Sequence, residues 1–239
     1  YALKATVRLV LLLHAWGDNL RGLKNLQDAL AKDYQVLAVD LPGFGASQAP
    51  PIAWDLDNYA TFLRDFLAKL DVAKLYAVVG HSNGGALALR AIGTDRFELA
   101  KLVLIAASGI RNSQKLRRTG LKVLAKTGNA ATFWLPEKHR RGLQKRLYGV
   151  AGSDMLVVPQ LQETFKRTVR QDVQADAAKV EQPTLLIYAS DDRAVPLADG
   201  RRYHQLIKNS TLEVIEEAGH FVHLDQPARV LALIKDFLA

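Results

Sequence analysis

The six residues Gly80-His81-Ser82-Asn83-Gly84-Gly85 constrain this chain more than any other stretch. The run before them, Leu75-Tyr76-Ala77-Val78-Val79, is short and apolar, the pattern of a strand buried on both faces. The run after them, Ala86-Leu87-Ala88-Leu89-Arg90-Ala91-Ile92, is made of good helix formers without proline. A serine therefore stands where a strand turns sharply into a helix, between glycines placed where any Cβ would crowd the turn. Such a turn strains the Ser82 backbone and lifts its hydroxyl above the sheet. It also leaves the Asn83 N–H at a helix N-terminus, facing any negative charge that develops there. The motif is short, and an ordinary serine in a glycine-rich turn fits it equally well until partners are found.

The rest of the chain alternates. Apolar strands are predicted at 8–13, 35–40, 75–79, 101–106, 183–188 and 212–215, with helices at 19–31, 55–70, 85–92, 196–207 and 226–238 between and after them. Leu23, Leu26 and Leu30 set the face of the first helix; Leu56, Tyr59, Leu63, Phe66 and Leu70 set that of the second, with Asp55 as its N-cap. Short buried strands separated by helices imply parallel β-α-β units with right-handed crossovers. The alternation stops at 108 and resumes at 183. Between them no strand is predicted; Val158, Leu161, Phe165 and Val169 mark one amphipathic helix, and the whole reads as a helical insertion. The domain division is thus 1–107 with 183–239 as an α/β core, and 108–182 as a cap.

A chain of 239 residues buries a core of its own, and the absence of cysteine excludes a disulfide framework, a thiolate metal site and a cysteine nucleophile. No apolar run is long enough to span a bilayer and no signal-peptide pattern opens the sequence as given, so a cytoplasmic location is expected. The net charge of +8 is concentrated. Residues 108–182 hold fifteen basic and six acidic side chains, a local charge of +9, while the remainder is close to neutral. A charge run is usually a solvated face, but one this unbalanced sets up a positive field that attracts anionic partners. Nucleic acid is not expected, because charge is the only nucleic-acid signal present.

A serine hydroxyl is a weak nucleophile until a base takes its proton, and the base needs an orienting acid. In an open parallel sheet these groups belong on loops at the carboxyl ends of strands. Two such loops follow Ser82: Ala189-Ser190-Asp191-Asp192-Arg193-Ala194-Val195-Pro196, then Glu217-Ala218-Gly219-His220-Phe221-Val222-His223. On residues alone Asp191 competes with Asp192, and His223 with His220. The order Ser, Asp, His, the strand–elbow–helix around Ser82, and the segments His14-Ala15-Trp16-Gly17 and Asp40-Leu41-Pro42-Gly43-Phe44-Gly45 together resemble the α/β-hydrolase-fold serine hydrolases over nearly the whole length.

That resemblance implies an α/β-hydrolase fold: a mostly parallel, six- to seven-stranded sheet flanked by helices, with the cap inserted after the strand at 101–106. It implies Ser82 as nucleophile, His220 as general base and Asp192, four residues before Pro196, as its orienting acid. It implies an oxyanion hole formed by the backbone N–H groups of Trp16 and Asn83, and a structural role for His14. His81 is expected to pack behind the elbow, since its side chain leaves the strand on the opposite side from Ser82. Phe133 and Trp134 are candidate substrate-binding residues of the cap. The family commonly has glycine where Ala15 stands, so a left-handed backbone there would strain this chain. No metal or organic cofactor is implied. The expected substrate is a small-molecule ester, anionic or carried by an acidic protein, and the chain is expected to be a monomer or dimer. The nearest resemblance is to methyl-ester esterases of acyl groups on acyl carrier protein. The alternatives are a C–C bond hydrolase of vinylogous diketones, and a ligand-binding protein that has lost turnover.

Overall fold

The computed structural model describes residues 8–111 and 158–239. Six parallel strands form one sheet in the order β2-β1-β3-β4-β5-β6: β1 Leu9–Leu13, β2 Gln35–Val39, β3 Lys74–His81, β4 Glu98–Ile105, β5 Thr184–Ala189 and β6 Ser210–Ile215. Around it lie α1 (Lys24–Leu30), α2 (Leu56–Lys69), α3 (Asn83–Gly93), α4 (Gln162–Thr168), α5 (Gln174–Ala177), α6 (Leu197–Leu206), α7 (Val222–Asp225) and α8 (Pro227–Leu238). No helix among the described residues is long and apolar enough to cross a membrane.

The central strands β1 and β5 and the carboxyl-terminal halves of β3 and β4 are buried because both faces of the sheet are covered there. Leu9, Leu11 and Leu13 of β1 enter one core, with α2 and α3, while Val10 and Leu12 enter the other, with α1 and α8. β4 divides the same way, Leu102 and Leu104 to one side and Val103 and Ile105 to the other. The period of two thus feeds two layers. Winding begins at β1 and proceeds outward in both directions, first to β2 and then to β3. The strand order therefore reverses between β1 and β3, and a crevice opens at their carboxyl ends.

Local signals explain the helix ends. Asp55 caps α2 as expected and does so reciprocally: the Asn58 N–H donates to Asp55 Oδ1 at 3.0 Å and the Asp55 N–H to Asn58 Oδ1 at 3.1 Å. The predicted helix at 19–31 is instead a 3₁₀ turn, Leu20–Leu23, running into α1. Asn19 caps it, its Oδ1 accepting from the Arg21 N–H at 3.0 Å, and the Gly22 N–H donates to the Asn19 carbonyl at 3.0 Å, the i→i+3 bond of a 3₁₀ turn. The predicted amphipathic helix spanning Val158 to Val169 also differs. A 3₁₀ turn, Pro159–Leu161, precedes α4, and the buried side chains of α4 are Thr164 and Thr168, with Phe165 only half-buried. Threonine is tolerated inside because its hydroxyl is satisfied: Thr164 Oγ1 accepts from the Trp54 N–H at 3.1 Å, and Thr168 Oγ1 donates to the Thr164 carbonyl at 2.9 Å. Val158, Leu161, Val173, Ala177 and Val180 join the same core as α2 and α3.

The elbow is held by close backbone contact. A Cβ on Gly84 would lie 2.3 Å from the Leu13 carbonyl oxygen, and one on Gly80 would lie 2.7 Å from that of Gly84. Gly219 is different, its nearest neighbour being Asp225 Oδ2 at 3.5 Å. Gly84→Ala is therefore expected to cost about 1–3 kcal/mol, since β1 and α3 must separate, while Gly219→Ala stays within about 0.5 kcal/mol. Urea unfolding of the two variants beside wild type measures both, and equal losses would contradict the contact.

Candidate active site

The turn from β3 into α3 forces Ser82 to φ 52° and ψ −113°, a left-handed conformation for a residue with a side chain. The strain is offset by neighbours: the Ser82 N–H donates to the Ile105 carbonyl at 2.9 Å, and its own carbonyl accepts from Ser108 and Ala86 at 3.1 and 3.2 Å. Strand β4 therefore fixes the elbow from one side and α3 from the other.

His220 Nε2 lies 3.0 Å from Ser82 Oγ, and His220 Nδ1 lies 2.7 Å from Asp192 Oδ2. A carboxylate only accepts, so Nδ1 carries the ring proton and Nε2 is free to accept from the serine. The Asp192 side chain is fully buried. Its second oxygen accepts from the Ala194 and Val195 N–H groups at 2.7 and 2.8 Å, which fixes the carboxylate while Oδ2 faces the imidazole. Asp191 is exposed and outside the constellation. Of the two sequence candidates for the acid, the geometry brings Asp192 to the histidine. The acid and base loops are strapped together: Ser190 and Asp191 donate backbone N–H bonds to Ile215 and Ala218 at 3.0 and 3.1 Å, and the Glu217 N–H reaches Ser190 Oγ at 3.1 Å.

Asn83 is the first residue of α3, so its N–H is one of the helix's free donors. The Trp16 N–H likewise takes no partner among the described residues. Trp16 itself is buried, its indole edge-on to Phe44 at 4.9 Å and tilted on Phe165 at 5.1 Å. His14 ties this loop down. Its Nδ1–H donates to the Ala15 carbonyl at 2.7 Å, and its Nε2 accepts from the Leu41 N–H at 3.1 Å. The conformational strain considered at Ala15 is absent; the left-handed residue in this loop is Gly17, at φ 75°. Asp40 organises the neighbouring loop, accepting from the Leu20 and Ala46 N–H groups, both at 2.8 Å. A narrow crevice of about 40 Å³ opens beside Asn83, walled by Leu56, Ala86, Ile110 and Val169. Phe133 and Trp134 lie outside the described residues.

His223, the rival base, is buried and turned away from Ser82 into a ring cluster. Its ring meets His81 edge-on at 4.6 Å, and His81 lies 5.0 Å from His220. His81 does pack behind the elbow, but sequence reasoning missed a second link: His81 Nε2 lies 2.9 Å from the His220 carbonyl oxygen. No sequence signal marks it, because the partner is a backbone atom 139 residues away.

Burial lowers the pKa of His14, His81 and His223 below the ordinary 6.5, His81 furthest, because the charged ring would lose its water. The unfolded chain then binds more protons than the native one as pH falls through 6.5, so stability present above that pH is lost below it. The urea midpoint is expected to fall between about pH 7.5 and about pH 5.5, and to fall less in His81→Gln. An equal fall in both proteins would remove His81 from the cause.

Comparison with known proteins bears on the fold and the family. The model of the alpha/beta hydrolase family matches residues 10–233. The chain is 27% identical over 257 residues to a 2-hydroxy-6-oxo-2,4-heptadienoate hydrolase of Pseudomonas putida, covering 96% of this chain and 88% of that protein. It is 27% identical over 246 residues to a pimeloyl-[acyl-carrier protein] methyl ester esterase of Neisseria meningitidis, covering 97% and 93%. The solved structure of a thermophilic esterase from Thermogutta terrifontis superposes with a TM-score of 0.73 at 22% identity, covering 96% and 89%. The sheet, the elbow and a match over nearly the whole chain have one meaning: the protein belongs to the alpha/beta hydrolase family.

Proposed function

We propose that the protein is a serine hydrolase that cleaves carboxylic esters through an acyl-enzyme on Ser82. The observation that carries the reading is the continuous hydrogen-bonded line Ser82–His220–Asp192, at 3.0 and 2.7 Å. In this reading Ser82 Oγ attacks the ester carbonyl as its proton passes to His220 Nε2. The oxyanion is received by the Asn83 and Trp16 N–H groups, each worth roughly 3 kcal/mol in the transition state. The protonated His220 gives its proton to the leaving alcohol as the ester C–O bond breaks; it then takes one from the water that attacks the acyl carbon and returns it to Ser82 Oγ as the acyl–Oγ bond breaks and the carboxylic acid leaves. Asp192 holds the ring in the tautomer that both half-reactions need and balances the imidazolium. Every proton and electron pair is accounted for by these three side chains and water.

The charge of +9 over residues 108–182 supports an anionic ester or an acyl group on an acidic carrier, and the esterase relative carries an acyl-carrier-protein substrate in its name. A second reading, hydrolysis of a C–C bond in a vinylogous diketone, is favoured by the Pseudomonas putida relative at the same identity. Both readings use Ser82 and differ in substrate.

Hydrolysis of p-nitrophenyl esters of increasing acyl length tests the first. Ser82→Ala is expected to lower kcat by about 10⁴-fold or more, and Asp192→Asn by about 10⁴-fold. An unchanged rate in Ser82→Ala would sink the proposal. Faster turnover of a vinylogous diketone than of any ester would select the C–C reading, and tight ligand binding with turnover of neither would select a binding protein.

A further inference from the structure

His81 precedes the nucleophile and reaches the main chain of the base. We propose that His81 is a positioning residue for His220: its Nε2–H, donated to the His220 carbonyl, ties the loop that carries the base to the strand that carries Ser82. The proposal rests on the serine-hydrolase reading above and deepens it.

Three observations support it. The first is geometry. The His220 ring is held by Ser82 and Asp192, but its backbone sits on a loop between β6 and the four-residue α7. No backbone N–H among the described residues reaches the His220 carbonyl; His81 Nε2 does, at 2.9 Å. The remaining anchors of this loop lie before His220: the Gly219 N–H donates to Asp225 Oδ2 at 2.8 Å, the Ala218 carbonyl accepts from the Asp191 N–H at 3.1 Å, and the Glu217 N–H donates to Ser190 Oγ at 3.1 Å. The second is rigidity. His81 is the last residue of β3, paired with Ile105 of β4 and completely buried, so the donor itself cannot wander. The edge of His223 at 4.6 Å and the ring of Phe221 at 5.3 Å fix the imidazole plane. The third is chemistry. A carbonyl only accepts, so the proton must be on Nε2, and burial keeps the ring neutral, with pKa well below 6.5. A neutral His81 puts no positive charge beside the imidazolium that forms on His220.

Packing alone would make His81 interchangeable with another ring of its size; positioning requires the donor. His81→Phe keeps a ring without the donor, and His81→Gln keeps an N–H at the reach of Nε2 without the ring. The readout is the rate at which a fluorophosphonate labels Ser82, which needs the nucleophile and base but no knowledge of the natural substrate. His81→Phe is expected to slow labelling by about 10–100-fold, as loss of near-attack geometry does, and His81→Gln to stay within about threefold of wild type. On a p-nitrophenyl ester the loss in His81→Phe should fall on kcat and leave KM in place. Labelling of His81→Phe at the wild-type rate overturns the proposal, and so does His81→Gln as slow as His81→Phe. If wild type is not labelled at all, the serine-hydrolase reading fails and this inference with it. If His81→Phe does not fold, imidazole nitrogen NMR of the wild type decides: a neutral His81 ring protonated on Nε2 is expected, and a ring protonated on Nδ1 overturns the proposal.

Discussion

The approach of α3 to the carboxyl ends of β1 and β3 is the constraint on which the rest depends. Gly84 lies so close to the Leu13 carbonyl that no side chain fits between them. That contact draws the first turn of α3 against β1 and brings three things to one point. Ser82 is pressed into a left-handed backbone, the Asn83 N–H is left free, and the loop after β1 that bears Trp16 is brought alongside. The strain at Ser82 persists because β4 and α3 over-determine it through hydrogen bonds to both its N–H and its carbonyl.

The opposite side of the site is built differently. Asp192 and His220 stand on the loops that follow consecutive strands, β5 and β6, so these loops are neighbours and are laced by three hydrogen bonds that involve neither of those side chains. This explains how Asp192 can be fully buried and still aimed. Its own loop satisfies one oxygen, and the imidazole takes the other. Behind them, His81, His220 and His223 form a ring cluster whose buried members, His81 and His223, have their pKa values lowered because the loss of water outweighs the nearby groups that favour the charged ring. Such a cluster stiffens the site near neutral pH and weakens it in acid.

Much of this was legible beforehand because it is local or periodic. Alternation of apolar runs with helical spacing gave the parallel sheet, the Asp55 cap was read correctly, and the glycines around Ser82 were assigned the steric role they have. Leucine spacing over 19–31 does not distinguish a 3₁₀ start from an α start; the i→i+3 bond from the Gly22 N–H to the Asn19 carbonyl does. The helix ending at Thr168 was given an apolar inner face, yet its buried positions are threonines, whose hydroxyls find partners on α4 and on the segment before α2. Backbone strain at Ala106 and Glu217, at φ 44° and 56°, had no sequence mark at all, since neither residue type advertises it.

The sequence by itself determined the layered α/β architecture, the strained turn at Ser82 and the order of three reactive groups along the chain, because each follows from spacing and side-chain size. It left Asp191 beside Asp192 and His223 beside His220, and it gave His81 only a packing role. The tertiary structure decided among them, because burial and reach are properties of the folded chain. One carboxylate is turned inward and its neighbour out to solvent, and one histidine faces the serine while the next is swallowed by the core. His81 finds its partner in a carbonyl that no pattern of side chains can reveal.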